Sequence, residues 1–554
     1  MDRISSGTHL MSSALALLVL LPGTDSWTCE TCSCTGFGGA FTLKRRIVDC
    51  GGKLREGGST LQLDGLRDVV QLQLSSNEMA WLPKDVFGEL KNLTKLDLSS
   101  NLLRGVDPRA FQGLPSLQIL DLSGNQLKSL DPTWFQGNPG LTDLNLHGNL
   151  LESFEWSSEE VFSGLLRLDL SYNNLKTLSA SSFESTPRIT HLDLSFNRIR
   201  EVEEGCLLDL EQLVSLNISN NNITRLLWSE LPVTLTRLNA GYNLIEEGPR
   251  NLSFIQVLDI AFNNVSDFNV IEDSVQGLTS LNVSGNRLTD FPSYSLDNLE
   301  TLDVSDNSIT RIPESFRADR LPRLRDLLIS GNPIKKLFFK EEIRLKKLVA
   351  SRLPLLEAID AYDLSKISSW DPEGCIDLVI SGNGRLSFIH EDAFESFDVC
   401  YMNLSYNNLS QVHPKLFNLE SKHVEKFGID IQGNPFFCNC TLQWMVDTFV
   451  PLLYSTHQGL LVDLRCASPA SLRNKRMVHW YKWPGRVLCG DKSAPLLERA
   501  VQDVPEETKI NIKGSTGMII VLIGATVLLS LLVIVGIVLA KWKAKKRSRQ
   551  NRRF

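Results

Sequence analysis

One nine-residue phrase fills the middle of this 554-residue chain: LTKLDLSSN (93–101), LQILDLSGN (117–125), LTDLNLHGN (141–149), LLRLDLSYN (165–173) and ITHLDLSFN (189–197). Its closing asparagines Asn77, Asn101, Asn125, Asn149, Asn173, Asn197 and Asn221 stand 24 residues apart, and the spacing then loosens through Asn243, Asn263, Asn286, Asn307 and Asn332. A degenerate unit, LKKLVASRL (345–353), precedes Asn383, Asn407 and Asn434, which makes about sixteen units. A unit this short cannot bury its leucines alone, so stacked neighbours must share one continuous core. In LQILDLSGN, side chains alternate along a strand, so Leu120 and Leu122 point inward and Asp121 outward. Asn125 sits where the chain bends away, and its amide can both donate to and accept from backbone groups of neighbouring turns. Phe87, Phe111, Phe135 and Phe183 keep the 24-residue register and are expected to stack along the back; Phe162 is displaced, so the outer arc there should be irregular.

The LxxLxLxxN form at a period of 20–29 residues is the leucine-rich repeat. The expected fold is an α/β solenoid, a curved horseshoe with disulfide-capped ends, plus one transmembrane helix. Sixteen strands about 4.8 Å apart give a concave parallel sheet about 75 Å long. Repeats are expected over 61–434, with an irregular segment at 333–374.

The ends of the chain place it in a compartment. Residues 1–26 have the form of a secretory signal peptide: Arg3, the apolar LMSSALALLVLLP, then Thr24 and Ser26 before a cut at Trp27. Residues 518–540 form a charge-free run of 23 residues, long enough to cross a bilayer. The tail 541–554 carries eight positive residues and no acid, which orients it to the cytoplasm. Beside the inner leaflet those cations are drawn to anionic lipid. The whole chain is at −7, so without the tail's eight charges residues 1–540 stand at −15. An acidic ectodomain argues against nucleic acid as its partner. The expectation is a single-pass plasma-membrane protein with its N-terminus outside and a stalk at 491–517.

Eleven cysteines fit an oxidising compartment. Eight form two groups, Cys29, Cys32, Cys34, Cys50 and Cys438, Cys440, Cys466, Cys489, and from spacing alone each group allows three pairings. The chain resembles the transmembrane leucine-rich-repeat proteins of the Toll-like and neuronal or matrix families over roughly residues 27–490. CETCSC…VDC is similar to their N-terminal cap (27–60) and NPFFCNCTLQWMVDTF to their C-terminal cap (435–490). The resemblance implies the pairs Cys29–Cys34, Cys32–Cys50, Cys438–Cys466 and Cys440–Cys489. Toll-like receptors carry a cytoplasmic TIR domain and this sequence shows none, so signalling by that route is not expected. Cys375 and Cys400 fall on adjacent strands, where a bond and two buried thiols are both open. Cys206 reads as a free buried thiol, with an intermolecular link as the alternative.

Binding, not catalysis, is the expected role. No HExxH, GxSxG or glycine-rich phosphate loop occurs, His147 and His191 lie two strands apart, and neither a metal nor a cofactor is expected. The outward concave residues include Lys95, Asp97, Asp121, Asp143, Asn145, Arg167, Asp169, His191 and Asp193; the acids among them suit a basic partner. Tyr172 and Phe196, like Tyr242 and Phe262, stand one residue before the asparagine, and exposed aromatics are enriched at binding hot spots. Sequons occur at Asn92, Asn217, Asn222, Asn251, Asn264, Asn282, Asn403, Asn408 and Asn439, consistent with a glycoprotein. Asn217, Asn282 and Asn403 lie on the concave face, which leaves residues 94–197 as its glycan-free stretch and best binding candidate. A second candidate is KKLFFKEEIRLKKL (335–348), with Lys335, Lys336, Lys340, Arg344, Lys346 and Lys347 suited to a polyanion; the alternative is the solvated face of an irregular segment, with Leu337, Phe338 and Leu345 expected to face the core. The first reading is therefore a cell-surface adhesion molecule, co-receptor or ligand-presenting receptor for a protein ligand or counter-receptor, with homophilic contact or a signalling co-receptor among its partners. The alternative is a structural or matrix-organising component, or a shed soluble binder, that recognises extracellular matrix or sulfated glycans.

Overall fold

A computed structural model of the chain describes residues 32–35, 46–53, 68–154, 162–249, 254–268, 277–371, 374–419, 426–481 and 485–490. The expected signal peptide, stalk, apolar run 518–540 and basic tail lie outside them, as do Cys29 and Asn251. Among the described residues no helix is long and apolar enough to cross a membrane. The chain divides into two units, 1–438 with 444–481, and 439–443 with 482–554.

The first unit is built on an eighteen-stranded sheet. Ser33–Thr35 pairs antiparallel with Arg46–Asp49, which pairs parallel with Val69–Gln73. From there each coil adds one parallel strand, mostly three residues long, ending at Ile429–Asp430. The register sets leucine on leucine: Leu72 on Leu96, then Leu120, Leu144, Leu168, Leu192 and Leu216. All of these are buried, as are the second leucines Leu98, Leu122, Leu146, Leu170 and Leu194. The expected solenoid is present.

The buried asparagines join one coil to the next. Asn125 Nδ2 donates to Leu122 O of its own turn at 2.9 Å and to Leu98 O of the preceding coil at 3.1 Å, while Oδ1 accepts Leu103 N–H at 3.0 Å. The same three-way pattern recurs at Asn101, Asn149, Asn173, Asn197, Asn221 and on to Asn307. These bonds satisfy backbone carbonyls and amides that burial would otherwise leave without partners.

Among the described residues the return arcs depart from the helical half of the expected α/β solenoid. They carry turns, short 3-10 segments such as Pro132–Phe135 and Trp228–Glu230, and two-residue ladders such as Trp81–Leu82 on Gly105–Val106. About 24 residues per coil leave little room for helical turns once the strand, the asparagine bend and the phenylalanine turn are made. Behind the sheet, Phe87 and Phe111 stack with rings 6.1 Å apart, and Phe111 and Phe135 at 6.0 Å, nearly parallel in both cases. Phe162 departs from this order, meeting Phe135 at 5.1 Å with the planes tilted by 55°.

The irregular segment has a local cause. Lys347–Val349 keeps its place in the main ladder, between Asp326–Leu328 and Ile376–Val379. Leu353 occupies the asparagine position, buried, and its N–H donates to Asn383 Oδ1 at 2.7 Å. The side strand Ile343–Leu345 pairs with Ile367–Ser369. One residue separates Leu345 from Lys347, but seven separate Ser369 from Asp377, so the extra length enters just before the concave strand. Trp370 begins that insertion, with the Arg325 guanidinium 4.4 Å from its ring centroid. The expectation that Phe338 faces the core is wrong. Burial alternates along this run, so Leu337 and Phe339 are buried while Phe338 is 51% exposed.

Within the first unit Cys32 is bonded to Cys50, Cys375 to Cys400 and Cys438 to Cys466. Within the second, Cys440 is bonded to Cys489, and Gln443 Oε1 accepts Leu488 N–H at 2.9 Å. The pairing Cys29–Cys34 lies outside the described residues. The Phe338 correction has a measurable consequence. Phe339→Ala should cost about 3–5 kcal/mol in denaturant unfolding, as core phenylalanines do, whereas Phe338→Ala should stay within about 0.5 kcal/mol.

Candidate functional site

Each strand shows two side chains outward, which form two rows across the sheet. The first row reads Lys95, Ile119, Asp143, Arg167, His191 and the second Asp97, Asp121, Asn145, Asp169, Asp193, all in register. The ladder therefore brings the candidate residues of 94–197 onto one surface, five strands wide. Ile119 belongs to that surface and is 38% exposed. The sequence reading passed over it, although its place in LQILDLSGN is that of Lys95 in LTKLDLSSN.

The acids of the second row have a structural task. Asp97, Asp121, Asp169 and Asp193 each accept, at 2.9 Å, the N–H of the serine two residues on, which closes the turn after the strand. Asn145 does the same for His147 N–H at 3.0 Å. Asn145 Nδ2 also reaches Asp121 Oδ2 at 3.2 Å, and Asn217 Nδ2 reaches Asp193 Oδ2 at 3.0 Å. Each acid thus commits one carboxylate oxygen to its turn, and Asp121 and Asp193 commit the other to a neighbouring asparagine, while the negative charge still faces the concave side. In the first row Arg167 Nη1 donates to Asp143 Oδ1 at 2.9 Å. Five acids against Lys95 and Arg167 leave the face negative.

A hydrogen-bonded chain of three side chains links two neighbouring coils. Ser171 Oγ donates to Asp169 Oδ1 at 2.5 Å and lies 2.8 Å from His147 Nδ1. With the serine proton given to Asp169, His147 donates from Nδ1 and leaves Nε2 as an acceptor. Serine lies between histidine and acid here, so the histidine is not positioned as a nucleophile's base held by the acid. His191 is exposed and pairs with Thr190 Oγ1 at 2.9 Å. Among the described residues no group of three or more His, Cys, Asp or Glu is arranged to hold a metal ion.

Along the edge where the strands end, the residue before each asparagine is in the left-handed region. Glycine fills that place at Gly124 and Gly148, but Tyr172 and Phe196 both hold it at φ 53°. For a bulky residue this costs on the order of 1–2 kcal/mol. Their rings stack on each other 4.1 Å apart while remaining 50% and 42% exposed, and His147 meets Tyr172 edge-on at 4.9 Å. Tyr242 and Phe262 repeat the arrangement at 4.5 Å.

The other candidates fare differently. In the basic segment Lys336 is paired with Asp360 at 2.9 Å and Lys340 with Glu314 at 3.3 Å. Lys347 lies on the concave strand, while Arg344 lies on the side strand Ile343–Leu345, so the six cations do not form one face. Asn92, Asn222 and Asn408 are exposed, whereas Asn217, Asn282 and Asn403 are half-buried and close their own turns. Asp259 has a carboxyl raised above the usual range, by burial first and by nearby Asp303 last, against the hydrogen bonds from Ala261 N–H and Asn282.

Cys206 is buried and free, its thiol pushed up to about 12 by burial and by the charges of Glu203 and Glu230. The folded state holds this proton more tightly than the ordinary thiol value of 9.0, so the associated stability is complete below pH 9 and is lost as pH rises through about 12. Iodoacetamide at pH 8 should leave Cys206 unmodified in the native chain and label it once the chain is unfolded. Labelling of the native chain as fast as of the unfolded one, read by mass spectrometry, would contradict its burial.

Comparison with known proteins agrees with this geometry. Residues 67–127, 119–166, 158–199, 187–245 and 276–334 match the family described as Leucine rich repeat. Osteomodulin of Bos taurus is 34% identical over 113 residues, 19% of this chain and 26% of that protein. Toll-like receptor 10 of Bos taurus is 38% identical over 130 residues, 23% of this chain and 16% of the receptor. The chain thus spans about a quarter or less of the length of either relative. A leucine-rich-repeat protein of Leptospira interrogans superimposes with a TM-score of 0.50 at 24% identity, over 66% of this chain and 85% of that one. The glycosylated form of the Toll–Spatzle complex of Drosophila gives 0.51 at 18%, over 74% and 63%. Those two likenesses are of fold.

Proposed function

We propose that this leucine-rich-repeat chain is a non-catalytic, glycosylated, single-pass cell-surface protein that binds a protein ligand or counter-receptor through the concave stretch 94–197. The observation that carries this reading is the strained, exposed Tyr172–Phe196 stack beside an acidic face in register. Every coil makes this left-handed turn, and holding bulky aromatics where glycine would fit without strain supports a role for the exposed rings; stacked aromatics supply contact area with little side-chain entropy to lose. The negative rows favour a partner with a basic surface and quicken its approach. The sequence features at 1–26, 518–540 and 541–554 support secretion, one membrane crossing and a cytoplasmic basic tail beside anionic lipid. A signalling co-receptor is among the partners this reading allows. The matrix or sulfated-glycan alternative is weaker, because the basic segment is divided between faces and two of its cations are already paired with acids.

Two measurements test the proposal. With one epitope tag after Ser26 and another after Phe554, intact cells should stain for the first alone, and both should stain after permeabilisation. The reverse pattern removes the membrane reading. The full chain is then screened against an array of secreted and cell-surface ectodomains. A saturable partner is expected whose affinity falls about tenfold with Tyr172→Ala. Asp169→Asn with Asp193→Asn, which keeps the turn bonds and removes the charge, should lower it about fivefold and flatten its salt dependence. Binding only to sulfated glycans, lost with Arg344→Glu and indifferent to Tyr172→Ala, would favour the alternative.

A further inference from the structure

The second outward row is polar through ten coils, from Asp97 to Asp303, and polar again at Asn403 and Asp430. Between them it reads Leu328, Val349 and Val379, paired in register on three neighbouring strands and partly exposed. Where Asp303 and Asn403 close their own turns, accepting Ser305 N–H at 2.9 Å and Ser405 N–H at 3.0 Å, these three residues cannot. At Val349 and Val379 a serine relay takes over: Ser351 N–H donates to Ser330 Oγ at 3.0 Å, Ser381 N–H donates to Ser351 Oγ at 3.2 Å, and the hydroxyls of Ser351 and Ser381 lie 3.0 Å apart. The preceding coil's hydroxyl therefore satisfies the turn amide, and the outward position is released for an apolar side chain.

This stripe has charged borders. The first row beside it alternates in sign, Asp326, Lys347, Asp377. Arg352 spans the other side to reach Asp306 at 3.1 Å. No sequon lies between Asn282 and Asn403. Strands stand about 4.8 Å apart, so the three apolar residues span about 10 Å. A helix rises 5.4 Å per turn and offers one side chain per turn on a given face, so a helix laid across the strands places one aliphatic group on each coil. An extended segment, with same-face side chains about 6.8 Å apart, does not keep step.

We propose that Leu328, Val349 and Val379 form a second docking face, for an amphipathic helix of a partner protein whose aliphatic stripe is flanked by a base, an acid and a base on successive turns. The face is separate from residues 94–197 and does not depend on what binds there.

The test pans the full glycosylated chain against a display library of single helices randomised on one face. Enriched helices should carry aliphatic residues at i, i+4 and i+7 with the base–acid–base flank. Their affinity should fall at least about tenfold with Val349→Asp, which restores the residue type of the polar row and leaves the strand intact. Lys347→Glu, on the surface beside it, should weaken them about fivefold and favour clones with a basic central flank. Asp169→Asn, in the other candidate face, should leave them unchanged. No enrichment, enriched sequences without this pattern, or undiminished binding to Val349→Asp would each overturn the proposal, with matching circular dichroism of the variants excluding misfolding as the cause.

Discussion

A buried asparagine that bonds to two coils at once is the constraint on which this structure depends. Leucine burial brings the coils together but does not fix their relative position, because apolar contact is non-directional. Asn173 supplies direction: Nδ2 reaches Leu146 O and Leu170 O, each at 3.0 Å, and Oδ1 receives Leu151 N–H at 3.0 Å. A buried amide or carbonyl without a partner costs about 1–3 kcal/mol, so a coil shifted out of step forfeits several such bonds together. Identical bonds in successive coils hold the strands in one register, and register is what aligns the outward rows.

Function can then be written on positions that the fold leaves free, or frees by substitution. Acids of the second row close turns with one oxygen and present charge with the rest of the carboxylate. Tyr172 and Phe196 occupy a backbone site that Gly124 and Gly148 fill without strain elsewhere. The hydroxyls of Ser330 and Ser351 take over a turn contact in the next coil, so that Val349 and Val379 can face outward beside Leu328. In the last two cases a local departure from the commonest repeat wording has a backbone consequence, and the consequence shows how the departure is accommodated.

Much of this was legible in the sequence, for a physical reason. The leucine positions, the asparagine contacts and the phenylalanine stack each recur at fixed spacing, and a repeated environment dictates a repeated residue. What was not legible depended on one coil. KKLFFKEE gives no local signal for which phenylalanine is buried; Phe339 goes inward with Leu337 where its N–H pairs with Asp363 O of the next coil at 3.1 Å. The stretched spacing before Asn383 was visible, but its placement beside the concave strand at Trp370 follows from a pairing between side strands. The acids of 94–197 read as a charged row, while the oxygen each commits to a serine amide depends on the turn's geometry. The apolar row was in view as outward letters in LRDLLIS, LKKLVAS and IDLVIS, yet its meaning emerges only when three coils are set side by side.

Amide hydrogen exchange on Asn173→Ala, read residue by residue against the unaltered chain, tests the turn-to-turn lock most directly. The account predicts lost protection in two coils: at the Leu151 amide, which loses its acceptor, and around Leu170 and Leu146, whose carbonyls lose a donor. Asp169→Ala, by comparison, should release the Ser171 amide alone. If Asn173→Ala leaves Leu151 protected, or confines its effect to its own turn, the asparagines are not what holds the coils in register.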